Sequence, residues 1–136
     1  MFKVEELIGI PFVEGGRDKS GLDCWGLVTL IYSYVFPDFI LPDINVHCGI
    51  SESKEIDNVA SFTKSNFTKT DKELYSIILI KHNDPIYVNH VGVYLGGSKF
   101  IHTRKKIGVN IDTIESMAWK RKIEGYYIPL GRGNNE

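Results

Sequence analysis

The feature that most constrains the fold is a change of hydrophobic period along the chain. Over residues 24–36 the apolar positions Leu27, Val28, Leu30, Ile31, Tyr34 and Val35 recur at helical spacing with little polar interruption, the mark of a helix buried on most sides. Pro37 ends it, because the residue before a proline is pushed out of the α region. In the second half the period falls to two. Residues 75–80 form a buried-strand run, and 87–95, 99–103, 109–112 and 124–128 are further strand candidates. Helices first and a meandering sheet later predict an α+β domain.

At 136 residues the chain fits a single domain over 1–136, large enough to bury roughly two thirds of its unfolded surface. Its 16 basic and 17 acidic residues leave a net charge of -1, which gives no global attraction to nucleic acid or to an anionic membrane. No stretch approaches the roughly 20 consecutive apolar residues that span a bilayer, so no membrane insertion is expected. The start Met1-Phe2-Lys3-Val4-Glu5-Glu6 lacks the basic-then-apolar plan of a signal peptide. Residues 4–10 suggest a short opening helix stopped by Pro11, 14–21 a loop, and 52–65 a polar helix.

Chemistry concentrates where the loop meets the long helix, at Gly21-Leu22-Asp23-Cys24-Trp25-Gly26-Leu27-Val28. The amides of a helix's first turn and the helix dipole both favour the thiolate of a cysteine placed there. The only other cysteine is Cys48, and the unlike settings of the two lead us to expect free thiols. A base candidate lies in the strand Val88-Asn89-His90-Val91-Gly92-Val93-Tyr94-Leu95. Alternation puts His90 on one face with Val88, Gly92 and Tyr94, and Gly92 clears room beside the imidazole. The next strand offers His102 to orient that base.

These roles demand a register. A simple two-residue turn at Gly96-Gly97 would set His90 opposite Thr103 and turn His102 to the other face. An odd-length or bulged connection sets His102 across from Gly92 and diagonal to His90, so such a connection is expected.

The strings Ile8-Gly9-Ile10-Pro11-Phe12, Gly21 to Val28, His90-Val91-Gly92-Val93-Tyr94-Leu95-Gly96 and Phe100-Ile101-His102 together resemble the NlpC-type cysteine peptidases. These are papain-like cell-wall hydrolases, and tryptophan after the cysteine is similar to the branch found in bacteriophage tail modules. The resemblance implies Cys24 as nucleophile, His90 as general base and acid, and His102 as the third polar residue. It implies a peptidoglycan stem peptide as substrate, cut between γ-D-glutamyl and the diamino acid. It also implies tail proteins as partners, and residence in a virion tail or, before assembly, in the bacterial cytoplasm. Asp23 matches a position associated with substrate amines and is equally a favoured helix N-cap. Trp25 stands where many members have a smaller serine, which implies a different pocket beside the nucleophile. Phe12 stands where many have tyrosine, and phenylalanine cannot donate a hydrogen bond to an oxyanion. The Gly-Asp usual before the first core strand is replaced by Lys72-Glu73-Leu74-Tyr75. Two alternatives remain open: a tail-assembly or tail-tip component whose hydrolase site is weakened or lost, and a related thiol amidase or acyltransferase.

Other motifs carry less. No spacing among Cys24, His47, Cys48, His82, His90 and His102 matches a zinc pattern, so neither metal nor cofactor is expected. The glycines of 16–21 lack the Lys-Ser/Thr of a phosphate loop. Arg104-Lys105-Lys106 reads as a solvated turn, and Trp119, Tyr126 and Tyr127 read as packing.

Overall fold

The computed structural model describes residues 2–44, 54–82 and 88–129, of which 54–58 are described as backbone alone. The expected opening helix is a single 3-10 turn, Val4–Leu7. Gly9, at a φ of 94, breaks the helical path before Pro11 is reached. The expected loop holds a two-rung ribbon, β1 (Arg17–Asp18) against β2 (Gly21–Leu22). Then come α1 (Cys24–Val35), α2 (Lys54–Asn66), and the strands β3 (Phe67–Thr70), β4 (Ile77–Ile80), β5 (His90–Gly96), β6 (Lys99–Arg104), β7 (Gly108–Thr113) and β8 (Ile123–Pro129). The six later strands form one antiparallel sheet in the order β3-β8-β4-β5-β6-β7. The α+β expectation holds. Strand β3 was not anticipated, because its pattern has one buried residue and too little alternation to read as a strand.

The sheet separates two apolar clusters by the strands' own alternation. On one side Ile77, Leu79, Val91, Val93 and Ile101 pack with Leu27, Val28 and Ile31 of α1. On the other, Ile78, Ile80, Tyr94 and Phe100 pack with Ile114 and Trp119. Each such side chain removed from water is worth about 1.5–3 kcal/mol, so burial on both faces fixes the register. Val88 joins the α1 side instead of sharing a face with His90, because β5 begins only at His90 and alternation does not extend back to it.

Two tethers place α1. Tyr32 donates its hydroxyl to the Tyr75 carbonyl at 2.7 Å, holding the turn before β4, where Lys72 and Tyr75 adopt positive φ in the segment that replaces the usual Gly-Asp. At the other end, residues 9–13 bridge β7 and β2. Val109 N donates to the Ile10 carbonyl at 2.9 Å, and Val13 N to the Leu22 carbonyl at 3.1 Å. Gly108 makes this approach possible, since a Cβ there would stand 2.7 Å from the Ile10 oxygen.

Candidate active site

The helix end is built around Asp23. Its backbone is extended at the N-cap, and Oδ1 accepts from Gly26 N at 2.7 Å. The same oxygen accepts from Arg17 Nη1 at 2.7 Å, and Oδ2 accepts from Gly15 N at 2.9 Å. Arg17 reaches on to Asp43 and to the Ile44 carbonyl, at 2.7 and 2.8 Å. Burial alone would lower the Arg17 pKa, but the two aspartates outweigh it and hold it above its ordinary value. Gly26 is required for this closure, because a Cβ there would collide with the Gly16 carbonyl. Asp23 is 0% exposed and its carboxylate caps the helix, held by Gly15, Arg17 and Gly26.

Trp25 also departs from expectation. It is fully buried, donates Nε1 to the Pro42 carbonyl at 2.8 Å and meets Phe62 edge to face. It fills the core beside α1, not a pocket wall, because it lies on the same helix face as Val28 and Tyr32. Phe12 is half-buried, bridged to Leu22 and packed against the α1-side cluster.

Cys24 is the first residue of α1 and 1% exposed. Its sulfur is in a disulfide, which corrects the free thiol expected there. The chain's other cysteine, Cys48, lies outside the described residues, as does His47. Unlike settings in sequence do not limit approach in space, and that is why the expectation failed. A sulfur in a disulfide has neither a proton to give nor a lone thiolate, so a nucleophile–base pair requires reduction first.

The histidines are joined directly. Strand β6 pairs with β5 through Val93↔Ile101 and Tyr94↔Phe100, then shifts at a bulge to Gly96↔Lys99. This is the bulged connection expected, and it turns His90 and His102 to one face. A Cβ on Gly92 would stand 3.4 Å from that of His102, so the glycine opens the approach. His90 Nε2 lies 2.8 Å from His102 Nδ1, and His102 Nε2 lies 2.7 Å from Asp112 Oδ2. Both imidazoles are buried, at 1% and 0% exposure. Burial, then the neighbouring His102, His82 and Arg104, push the His90 pKa well below its ordinary value. Burial likewise lowers His102 to about 4, although Asp112 pulls the other way.

Four members of this cluster were missed or misread in the sequence. Asp112 lies on β7, whose register His102↔Asn110 sets it diagonal to His102 on the same face. Trp119, read as packing, is packing of a particular kind: its ring lies 4.8 Å from His102, 5.8 Å from His90 and 5.0 Å from His82. Arg104, expected in a solvated turn, stacks on Trp119 at 5.1 Å. His82 lies 5.8 Å from His90. Among the described residues no cluster of metal-ligand type forms.

A cysteine at a helix start, once reduced, and a buried imidazole pair on the sheet against which that helix packs are the groups that acyl transfer through a thioester uses. The NlpC/P60 family pattern matches residues 9–127. The chain is 28% identical to the probable endopeptidase NlpC homolog of Haemophilus influenzae, over 85% of this chain and 54% of that protein. It is 25% identical to the gamma-DL-glutamyl hydrolase of Bacillus subtilis, over 90% of this chain and 27% of that one. The chain thus spans about half the length of the first relative and about a quarter of the second. Among solved structures, the NlpC/p60 domain of the peptidoglycan hydrolase SagA superposes with a TM-score of 0.60 at 22% identity, covering 91% of each chain. NlpC2 of Trichomonas vaginalis gives 0.64 at 21%, covering 90% of this chain and 43% of that one. With the match running from the loop before Phe12 to the last strand, and taking in Cys24, His90 and His102, the chain belongs to the NlpC/P60 family.

Proposed function

We propose that the chain is a cysteine endopeptidase acting on peptidoglycan stem peptides, with the bond between γ-D-glutamyl and the diamino acid as its target. The observation that carries this reading is the buried hydrogen-bonded pair His90–His102, on the sheet against which the Cys24 helix packs, within a family match that contains all three residues. The relatives support it, since their names include an endopeptidase and a γ-glutamyl hydrolase.

In the reduced enzyme the Cys24 thiol gives its proton to neutral His90 as the sulfur attacks the scissile carbonyl. The backbone amide of Cys24 is the donor this reading assigns to the oxyanion, since the Phe12 ring has no hydroxyl to add. His90 then protonates the leaving amine, and water activated by the same imidazole hydrolyses the thioester.

A tail-associated site of action, in a virion or in the cytoplasm before assembly, is the finer part of the proposal and rests on Trp25 following Cys24. The phenylalanine at position 12 favours a second reading, in which the domain serves mainly as a structural tail component. Incubation of the purified chain with stem-peptide muropeptides, with and without a thiol reductant and beside Cys24→Ala, separates the two. Cleavage that needs both reductant and Cys24 is expected. Product from Cys24→Ala equal to that of the parent, or none from either protein under reduction, would overturn the peptidase reading and leave the structural one.

A further inference from the structure

We propose that Asp112 is the positioning residue that sets the tautomers of both histidines, through a relay two imidazoles long. The inference rests on the reading of His90 as the base and deepens it. A carboxylate offers acceptors only, so the proton between Asp112 Oδ2 and His102 Nε2, 2.7 Å apart, belongs to the histidine. A neutral imidazole carries one N–H, so His102 Nδ1 is then a bare lone pair. That lone pair faces His90 Nε2 at 2.8 Å and is satisfied only if the His90 proton sits on Nε2. His90 Nδ1 is left without a proton, as a general base requires.

The reverse arrangement, with His102 protonated on Nδ1, would aim an imidazole lone pair at a carboxylate. Both rings are buried, so water is not at hand to relieve that repulsion. Among the described residues, the other charged and titratable groups around the pair do not supply an alternative acceptor. Arg104 offers donors only, and the recorded contact of His82 with His90 is ring to ring at 5.8 Å. Asn110 donates Nδ2 to the same Asp112 oxygen at 3.1 Å, which steadies the carboxylate rather than competing for the histidine proton. Trp119 covers the relay on one side, with centroids 4.8 and 5.8 Å from His102 and His90.

The test reads the proton positions directly. Long-range nitrogen–proton spectra of the uniformly labelled full chain at pH 7, assigned with His→Gln variants, are expected to show His90 and His102 each in a single form protonated on Nε2. Asp112→Ala removes the anchor, and both histidines are expected to become tautomer mixtures. Asp112→Asn keeps a carbonyl acceptor and is expected to restore the single form. In turnover, Asp112→Ala should lower kcat about 10²-fold, the low end of a general-base contribution, with KM little changed. Asp112 is one-third exposed, so the variants are expected to fold, which near-ultraviolet circular dichroism checks. Folded Asp112→Ala with unchanged tautomers overturns the relay. If no protein cleaves muropeptides, the peptidase reading falls, while the spectra still decide the role of Asp112.

Discussion

The two halves of the site are fixed by different means. At the helix end, Asp23 gathers Gly15, Arg17 and Gly26, all within a short stretch of chain, through backbone amides and one ion pair. The histidine cluster draws on three strands and a turn, and its geometry depends on a bulge between β5 and β6 and on the register of β6 with β7. A cap of the first kind forms as soon as its helix does. The relay exists only once the sheet is assembled and closed over by Trp119. The comparison teaches that the position of Cys24 at the helix start is a local property of the sequence, whereas the joining of the two histidines is a property of the whole sheet.

Acid should therefore strike the sheet half hardest. With the folded pKa of His102 lowered to about 4 and that of His90 well below 6.5, the unfolded chain binds these protons first. Their contribution is complete above pH 6.5 and drains away as the pH falls toward about 4, where the unfolded imidazoles are charged and the folded ones resist. For His102 this amounts to about 3 kcal/mol. Urea midpoints of the chain and of His102→Gln, measured from pH 7 to 4, should show a steep decline that the variant flattens. Parallel curves would mean that burial does not set the cost of protonation.

The helix end is tested by Asp23→Ala. The substitution removes the cap and leaves the Gly15 amide without its acceptor, while Arg17 loses one partner and keeps Gly16, Asp43 and Ile44. A lost N-cap costs about 1 kcal/mol, and the partly buried Gly15 amide left unpaired adds about 1 more. The total of about 2 kcal/mol should appear in the urea midpoint at pH 7, with the His90–His102 proton resonance as in the parent. A shifted or broadened His90–His102 resonance would show that the two halves are coupled and would break the comparison.

The sequence carried the helix, its cap, the antiparallel strands and the need for a bulge, because each follows from residues close in the chain. Gly92 and the demand that His90 and His102 share a face were enough to reject the simple turn. Asp112 was not legible. An aspartate in a short alternating strand reads as an outward polar residue until the β6–β7 register is known. Trp119 sits in a turn-rich segment with no period to place it, so packing could be assigned but not its position over the imidazoles. Trp25 was misjudged for a different reason: its place beside the nucleophile in sequence outweighed its spacing with Val28 and Tyr32, which marked it for the core. The disulfide at Cys24 depends on approach in space, which no spacing rule reports.

The smallest expected effect probes the point where the halves of the sheet meet. Gly92→Ala places a Cβ at 3.0 Å from the Phe100 ring, 3.1 Å from the Ile101 oxygen and 3.4 Å from the His102 Cβ. The aromatic ring can yield by a few tenths of an ångström, but the backbone oxygen is held in the β5–β6 ladder, so part of the strain must pass to His102. Stability should fall by only about 1 kcal/mol, at the mild end of overpacking. The relay is less tolerant, because a hydrogen bond weakens steeply as its angle departs from linearity. Gly92→Ala should therefore lower kcat more than stability alone explains and broaden the His90–His102 proton resonance. A variant with parental kcat and a sharp resonance would show that β6 can move as a unit, and that the glycine serves the packing of Phe100 rather than the approach of His102.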